Sequence, residues 1–407
     1  MASIASTPPL TRASVLAAHD LISPYIHLTP LLTNSTLSSL ASTPQTPSAL
    51  KSTPWEGETP ANPKIRLFFK CENFQRVGAF KARGAFHALK RLIAERGIEE
   101  IRGRGVVTHS SGNHAQALAL AAKTFSIPAH VVMPNISTPS KIEGTRGYGA
   151  RVYFSGSTAA EREAVVNEVE KETGAFLVKP YDHPDIILGQ GTMAVEIEEQ
   201  VAEMLEKDPG LGVRGEKGHG GKLDAVITPC GGGGMLAGNG VAWKGMGTRV
   251  FGAEPSFQGA DDAKRGVEKG EMITGVKSLT IADGLRTNLG EWTWKIISDK
   301  EHVQGLFSVT EKNIRDAMRL VLERMKCFVE PSAVVGLATI LYNEDFRKMV
   351  EREAGEEGWN IGVVFSGGNT TVEAIGKIFA AASEEEAERQ EGVLGMDGAR
   401  TAENVAG

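Results

Sequence analysis

The chain has 407 residues, 41% of them hydrophobic, enough to bury one large or two moderate cores. Its 44 basic and 50 acidic residues leave a net charge of −6 with no long basic block, which excludes a nucleic-acid footprint and suits a soluble enzyme acting on small molecules. Cys71, Cys230 and Cys327 are scattered and form no CxxC pair, excluding a disulfide framework or structural zinc. No run reaches membrane-span length and no signal-peptide order opens the chain, so a cytoplasmic protein with no membrane role is expected.

In chain order, residues 1–10 read as a leader, 12–22 as an amphipathic helix and 25–32 as a short extended stretch. The Thr/Pro/Ser-rich residues 43–63 offer little to bury and are expected to be an exposed loop insertion. Residues 65–69 read as a buried strand, followed by a polar loop containing Gly78 and a helix over 80–92. Lys81 therefore falls on a first helical turn. Beside the helix's positive end and apolar Phe80, its ammonium is disfavoured relative to the free amine, and such a lysine is a nucleophile toward carbonyls. Alone, Lys81 reads equally as an ordinary solvated lysine.

Further on, β-rich runs at 105–109, 129–134, 150–155, 176–179, 225–228, 250–253 and 361–365 alternate with helical stretches. Several are nearly continuous apolar runs, as in parallel strands covered on both faces, so an α/β fold is expected. Residues 207–222, rich in Gly, Lys and Glu, read as a second insertion, and 382–407 as a mobile tail.

In open parallel sheets ligands sit beyond the carboxyl ends of strands, so the loops there hold the candidates. After 105–109 comes Ser110-Ser111-Gly112-Asn113-His114, then an Ala-rich helix: small donors at a helix start suit a carboxylate, or simply cap the helix. After 225–228 comes Gly231-Gly232-Gly233-Gly234, then a helix from near Met235. Four glycines cost backbone entropy, and close backbone approach to a phosphate accounts for them. Glu254 stands where a ribose-binding acid would in a dinucleotide fold, yet the glycines fit no G-x-G-x-x-G register, so a single phosphate is preferred. After 361–365 comes Ser366-Gly367-Gly368-Asn369, a turn that alone says little.

Taken in order, Lys-Cys-Glu-Asn-Phe-Gln-Arg-Val-Gly-Ala-Phe-Lys (70–81), Ser-Ser-Gly-Asn-His (110–114), the glycine run, Val-Glu-Pro-Ser-Ala (329–333) and Ser-Gly-Gly-Asn (366–369) resemble the serine/threonine dehydratase family. The resemblance covers roughly 12–378 and is nearest to the branch of eukaryotic serine racemases and threo-3-hydroxyaspartate dehydratases. It is strengthened by Ile26-His27-Leu28-Thr29-Pro30, Gly189-Gln190-Gly191-Thr192, Ile281-Ala282-Asp283-Gly284 and Glu323-Arg324-Met325-Lys326. It implies a pyridoxal 5′-phosphate enzyme of the tryptophan synthase β-subunit-like fold (fold type II), with two open, mostly parallel twisted sheets and helices on both faces. Residues 1–99 and 184–407 would form a large cofactor-binding domain and 100–183 a small mobile one, in a homodimer.

The resemblance also implies roles. Lys81 would join the cofactor as an imine and remove the substrate Cα proton; Phe80 and Asn113 would hold the pyridine ring; Gly231, Gly232, Gly233 and Gly234 would take the phosphate. Ser366 would hydrogen-bond the pyridine nitrogen, and since a hydroxyl does not keep that nitrogen protonated, loss of a β-hydroxyl is favoured over transamination. Ser110, Ser111, Gly112, Asn113 and His114 would bind the α-carboxylate, although His114 can equally be a structural helix-start residue. Arg162 would reach a second carboxylate. Ser111 would face Cα opposite Lys81, a two-base arrangement that permits racemisation beside elimination.

The implied reaction converts serine-like β-hydroxy amino acids (serine, threonine, threo-3-hydroxyaspartate) to a 2-oxo acid and ammonia. A β-replacement enzyme, a specialised-pathway lyase and a non-catalytic cofactor-binding relative stay open. Glu254, the Ala260 carbonyl and Asp262 would hold Mg²⁺, Mn²⁺ or Ca²⁺, all-oxygen ligands suiting hard cations. A solvated acidic loop is the other reading, because two residues are inserted there relative to the family. Thr371 replaces an aspartate of the nucleotide-binding racemases, and Tyr181-Asp182 stands where they carry an asparagine, so an altered active-site rim is expected.

Overall fold

The structure, a computed structural model, describes residues 8–110, 112–213 and 222–381. Its ten strands are β1 (Leu31–Thr33), β2 (Ile65–Cys71), β3 (Val106–His109), β4 (Ala129–Pro134), β5 (Arg151–Ser155), β6 (Phe176–Leu177), β7 (Ala225–Pro229), β8 (Arg249–Pro255), β9 (Gly305–Val309) and β10 (Trp359–Phe365). They form a six-stranded sheet in the order β1-β2-β10-β7-β8-β9 and a four-stranded one in the order β5-β4-β3-β6. Every pairing is parallel except β1 with β2. β7 and β10 are buried along their whole length, as the unbroken apolar runs require when helices cover both faces.

The helix Pro184–Lys207 runs through the middle of the molecule and carries the Gly189-Gln190-Gly191-Thr192 motif. A methyl group added at Gly191 would lie 2.6 Å from the Gly238 carbonyl oxygen, and one at Gly189 would lie 2.7 Å from Gly84 Cα. Glycine is thus needed at both places for backbones to touch. One helix thereby seats both the Lys81–Arg96 helix and the Gly234–Trp243 helix, fixing the lysine and the glycine run on a common support.

A charged cluster completes that support. Arg83 forks onto Glu72 at 2.7 and 2.8 Å and onto both oxygens of Glu196 at 2.7 Å, while Lys70 donates to Glu196 at 2.6 Å and to the Thr29 carbonyl at 2.8 Å. All four charged side chains are buried and each acid meets a cation, as burial of charge demands.

The structure differs from the sequence reading in several places. The strand expected at 65–69 continues to Cys71, because Lys70 is paired inside rather than solvated. β9 was not expected: Gly305 and Ser308 dilute its apolar pattern, and it lies at the sheet edge. Residues 43–63 are loop-rich, but they contain the short helix Pro47–Leu50 with Leu50 buried. Gln45 and the Ala61 N–H hold Glu344, and Arg347 donates to the Thr43 and Ala61 carbonyls. Buried Glu344 and Arg347 anchor the insertion through its backbone and the Gln45 side chain, which composition does not reveal. In the second insertion the long helix reaches Lys207 and a turn covers Pro209–Leu211. Residues 214–221, the leader 1–7 and the tail 382–407 lie outside the described residues.

Both sheets belong to one compact unit ending at Asn369. Residues from Thr370 form a second, in which the Thr371 hydroxyl accepts the Ala374 N–H at 3.1 Å. Among the described residues no helix is long and apolar enough to cross a membrane.

Candidate active site

Lys81 is the first residue of its helix, and the loop before it is bound to the loop after β10. Phe80 N–H donates to the Ser366 carbonyl at 3.0 Å, Gly368 N–H to the Gly78 carbonyl at 2.9 Å, and Ala79 bridges Gly367. Val77 is held at φ +55°, uncommon for a β-branched residue, and its carbonyl accepts from Asn369 Nδ2 at 2.7 Å. Strained backbone is thereby fixed next to the lysine.

Lys81 Nζ donates to the Pro180 carbonyl at 2.8 Å. Desolvation lowers its pKa from 10.5 to about 8. The expected direction is right, but the expected contribution of Phe80 is not. Its ring lies 5.1 Å from Nζ, a cation–π distance that favours the ammonium.

The residues after β3 reach the same place. Asn113, the first residue of the helix Asn113–Thr124, donates to Glu330 at 2.8 Å and accepts from Asn369 at 2.8 Å. Gly112 N–H donates to Ser110 Oγ at 3.3 Å, with the Lys141 side chain packed beside Gly112. His114 is 2% exposed, and burial, then the Lys81 charge, lowers its pKa to about 3. It is therefore a neutral ring close to Lys81. Ser111 lies outside the described residues.

At the end of β7 the glycine run turns into the helix Gly234–Trp243, with Gly233 at φ +82° and no side-chain cap on the first N–H groups. Uncapped N–H groups at a helix start make an anion site. An added methyl would lie 2.8 Å from Leu285 Cα at Gly231 and 2.6 Å from the Tyr181 ring at Gly232. Tyr181 thus packs directly on the glycine loop, one residue beyond the carbonyl that holds Lys81. Burial, then Asp182, raises its pKa to about 12, while Arg162 acts the other way. Asp182 caps the helix Glu291–Ile297 by accepting the Trp292 and Thr293 N–H groups at 2.8 and 3.2 Å. Ser366, 4% exposed, directly follows β10.

Contacts therefore join Phe80, Lys81, Asn113, His114, the glycine run and Ser366. Arg162 donates to the Ser157 carbonyl at 2.8 Å, and its charge is felt at His109 and Tyr181. The sequence reading gave no role to Glu330, Asp283 or Lys141. Glu330 has its pKa raised to about 7, by burial first and then by Asp283, and Asp283 is ion-paired with Lys141. The Val-Glu-Pro and Ala-Asp-Gly motifs were the available signal, but a motif does not name its partner across space.

Glu254, at 1% exposure, accepts the Ala263 and Lys264 N–H groups at 3.1 and 2.8 Å. Burial, then the Asp262 charge, raises its pKa, and burial raises that of Asp262 to about 6. This excludes a solvated acidic loop. Among the described residues no cluster of three or more His, Cys, Asp or Glu side chains suits a metal, so any cation here would rest on two carboxylates, the Ala260 carbonyl and water.

A family profile described as "Pyridoxal-phosphate dependent enzyme" matches residues 50–367. A serine racemase of Arabidopsis thaliana is 39% identical over 89% of this chain and 94% of its own length. The L-threo-3-hydroxyaspartate ammonia-lyase of Saccharomyces cerevisiae is 35% identical over 88% and 93%. The structure of maize serine racemase superposes with a TM-score of 0.73 at 35% identity, covering 93% of this chain and 99% of that one.

Proposed function

The chain belongs to the pyridoxal-phosphate dependent enzymes, and from that premise we propose that it eliminates water from serine-like β-hydroxy amino acids to an enamine that takes up water again to give a 2-oxo acid and ammonia, and racemises a share of its substrate. The observation that carries the reading is the junction of a desolvated lysine, an uncapped helix start and a buried serine at three strand ends.

These residues fit pyridoxal phosphate. The glycine run would take the phosphate, Lys81 the aldehyde carbon, Ser366 the ring nitrogen, and Phe80 and Asn113 the ring. The bound cofactor would supply the electron sink that makes the Cα proton removable.

Lys81, with a pKa of about 8, is matched to taking that proton near neutral pH. Ser111 on the opposite face would return a proton with inverted configuration. The Ser110–His114 loop would hold the α-carboxylate and Arg162 a second one. Neutral His114 adds no competing charge beside Lys81. Movement of the four-stranded sheet region (100–183) toward the rest would exclude water.

Turnover of L- and D-serine, threonine and both threo-3-hydroxyaspartates, read as oxo acid and as product chirality, tests the reading. Borohydride should fix the cofactor's mass on the Lys81 peptide. A new amino acid in place of an oxo acid would replace elimination by β-replacement, and bound cofactor without turnover would leave a binding protein.

Two further parts belong to the proposal. Glu254, Ala260 and Asp262 would take Mg²⁺ or a similar cation, because it would relieve repulsion between two buried acids. Asp262 is also helped by the Leu289 backbone, and Leu289 packs on Gly233, so an ion there would steady the glycine run. Mg²⁺ should raise the Tm, a chelator should lower it, and Glu254→Gln should abolish the response. The chain would also pair as a homodimer. Exposed Leu28, Phe74 and Phe328 supply apolar surface for it, and sedimentation checks the state.

A further inference from the structure

Asn113 enters the proposed chemistry as a holder of the cofactor ring, but its own side chain is held by two others. Its Nδ2 donates to Glu330 Oε1 at 2.8 Å and its Oδ1 accepts from Asn369 Nδ2 at 2.8 Å, while Asn369 Nδ2 also donates to the Val77 carbonyl at 2.7 Å. Neither Glu330 nor Asn369 enters a step of the proposed chemistry.

The order of these bonds settles which way each amide faces. A backbone carbonyl only accepts, so the atom of Asn369 against Val77 is the nitrogen. The second hydrogen of that nitrogen goes to Asn113, so the atom of Asn113 it meets is the oxygen. The Asn113 nitrogen is left toward Glu330, whose carboxylate again only accepts. Both ends of the relay thus impose the same orientation. A flipped Asn113 would set oxygen against oxygen at Glu330 and nitrogen against nitrogen at Asn369, losing both bonds.

The backbone makes room for both partners. A methyl group at Gly367 would lie 2.7 Å from Glu330 Oε1, and one at Gly78 would lie 2.9 Å from Asn369 Oδ1. The Val77 carbonyl that starts the relay belongs to the residue at φ +55°, and Glu330 N–H donates to the Gly367 carbonyl at 3.1 Å. Glu330 is 3% exposed, so its bond to Asn113 is sheltered from water.

Resting on the reading of this site as one for pyridoxal phosphate, we propose that Asn369 and Glu330 are positioning residues that fix Asn113 to donate an N–H to the ring's 3-oxygen. Nδ2 carries two hydrogens and Glu330 takes one, so one remains for an acceptor. The 3-hydroxyl of the ring, when ionised, is such an acceptor, and a hydrogen bond to a charged oxygen is stronger than one between neutral groups. Freed from its two partners, Asn113 turns either face to the ring, and its carbonyl repels the same oxygen.

The cofactor-free protein is dialysed to equilibrium against pyridoxal phosphate and against 3-deoxypyridoxal 5′-phosphate, which lacks the acceptor, and the two dissociation constants are compared. Their ratio cancels whatever a variant does to the rest of the site. In Asn369→Ala the preference for pyridoxal phosphate should fall about tenfold from the wild-type value, the size of one hydrogen bond to a charged group. Glu330→Ala should act likewise from the other end, and Glu330→Gln, which still offers Asn113 an amide oxygen, should retain most of the preference. If Asn369→Ala fails to fold, the two Glu330 variants decide. An unchanged ratio in the alanine variants, whether both affinities stay or fall together, or a Glu330→Gln protein as impaired as Glu330→Ala, would overturn the proposal. Wild type that binds neither compound would overturn the pyridoxal phosphate reading itself, and no arm depends on turnover of an amino acid.

Discussion

Lys81 is a poor home for a proton because its Nζ has lost water and gained one carbonyl. The free amine should therefore prevail above about pH 8 in the folded chain and only above 10.5 in the unfolded one. Between those values the unfolded chain holds the extra proton, so this group's destabilising share is full below about pH 8 and fades as the pH rises toward 10.5. Competitive acetylation of the cofactor-free protein against pH should place the Lys81 midpoint near 8, and a midpoint near 10.5 would remove the basis for its role as a base. The glycine run separates backbone from side-chain crowding in the same way. At Gly231 a methyl meets the backbone of Leu285, which cannot yield, whereas at Gly232 it meets the Tyr181 ring, which can turn. Gly231→Ala should cost about 1–3 kcal/mol of stability, as overpacking does. Gly232→Ala should cost less and be relieved by Tyr181→Ala, a comparison that thermal unfolding of the three variants would make.

The lysine helix stays in place because Arg83, two residues on, is clamped between two buried acids. Burial works against ionised Glu196, but Arg83, His19 and Lys70 overcome it and hold its pKa below the usual carboxylate range. A depressed carboxylate contributes stability that is fully present above the unfolded pKa of 4.5 and is lost as pH falls toward the folded value. Glu196→Gln should accordingly cost about 3–5 kcal/mol at neutral pH, since it leaves buried cations short of a partner. The difference from wild type should shrink below about pH 4.5, and denaturant unfolding at two pH values measures it; a gap that grew in acid would contradict the cluster's logic. In the sequence, Lys70, Glu72 and Arg83 are visible beside Lys81, but Glu196 lies 126 residues from Lys70, and nothing local announces the pairing. The parallel strands were legible for the opposite reason: burial on both faces writes itself as an unbroken apolar run, as in β7 and β10. β9 has only Leu306 and Val309 buried, and the pattern is too thin to read. Residues 43–63 attach through main-chain groups and the Gln45 side chain to Glu344 and Arg347, partners so far along the chain that nothing local announces them.

Polar tethers join the region of the four-stranded sheet to the rest, among them Asn113 to Glu330 and Lys141 to Asp283. Lys141 lies beside Gly112, in the segment proposed to hold the α-carboxylate, while Asp283 acts on Glu330 and raises its pKa after burial has done so. The ion pair therefore joins the substrate-side loop to the body that carries the glycine run. Its members are 15% and 38% exposed, so the bond is partly screened and worth about 1 kcal/mol or less. That is the magnitude suited to a latch for the proposed closure, which would have to hold the closed form and still release product. Lys141→Ala should raise KM about threefold to fivefold with a smaller effect on kcat, because under the proposed closure it would shift the balance between open and closed forms without touching Lys81. Salt separates a latch from a merely structural contact. Raising ionic strength to about 0.5 M screens exposed charges, so KM of the wild type should climb toward that of Lys141→Ala, while the variant should scarcely respond. Equal salt dependence in both proteins would show that the pair does not govern closure.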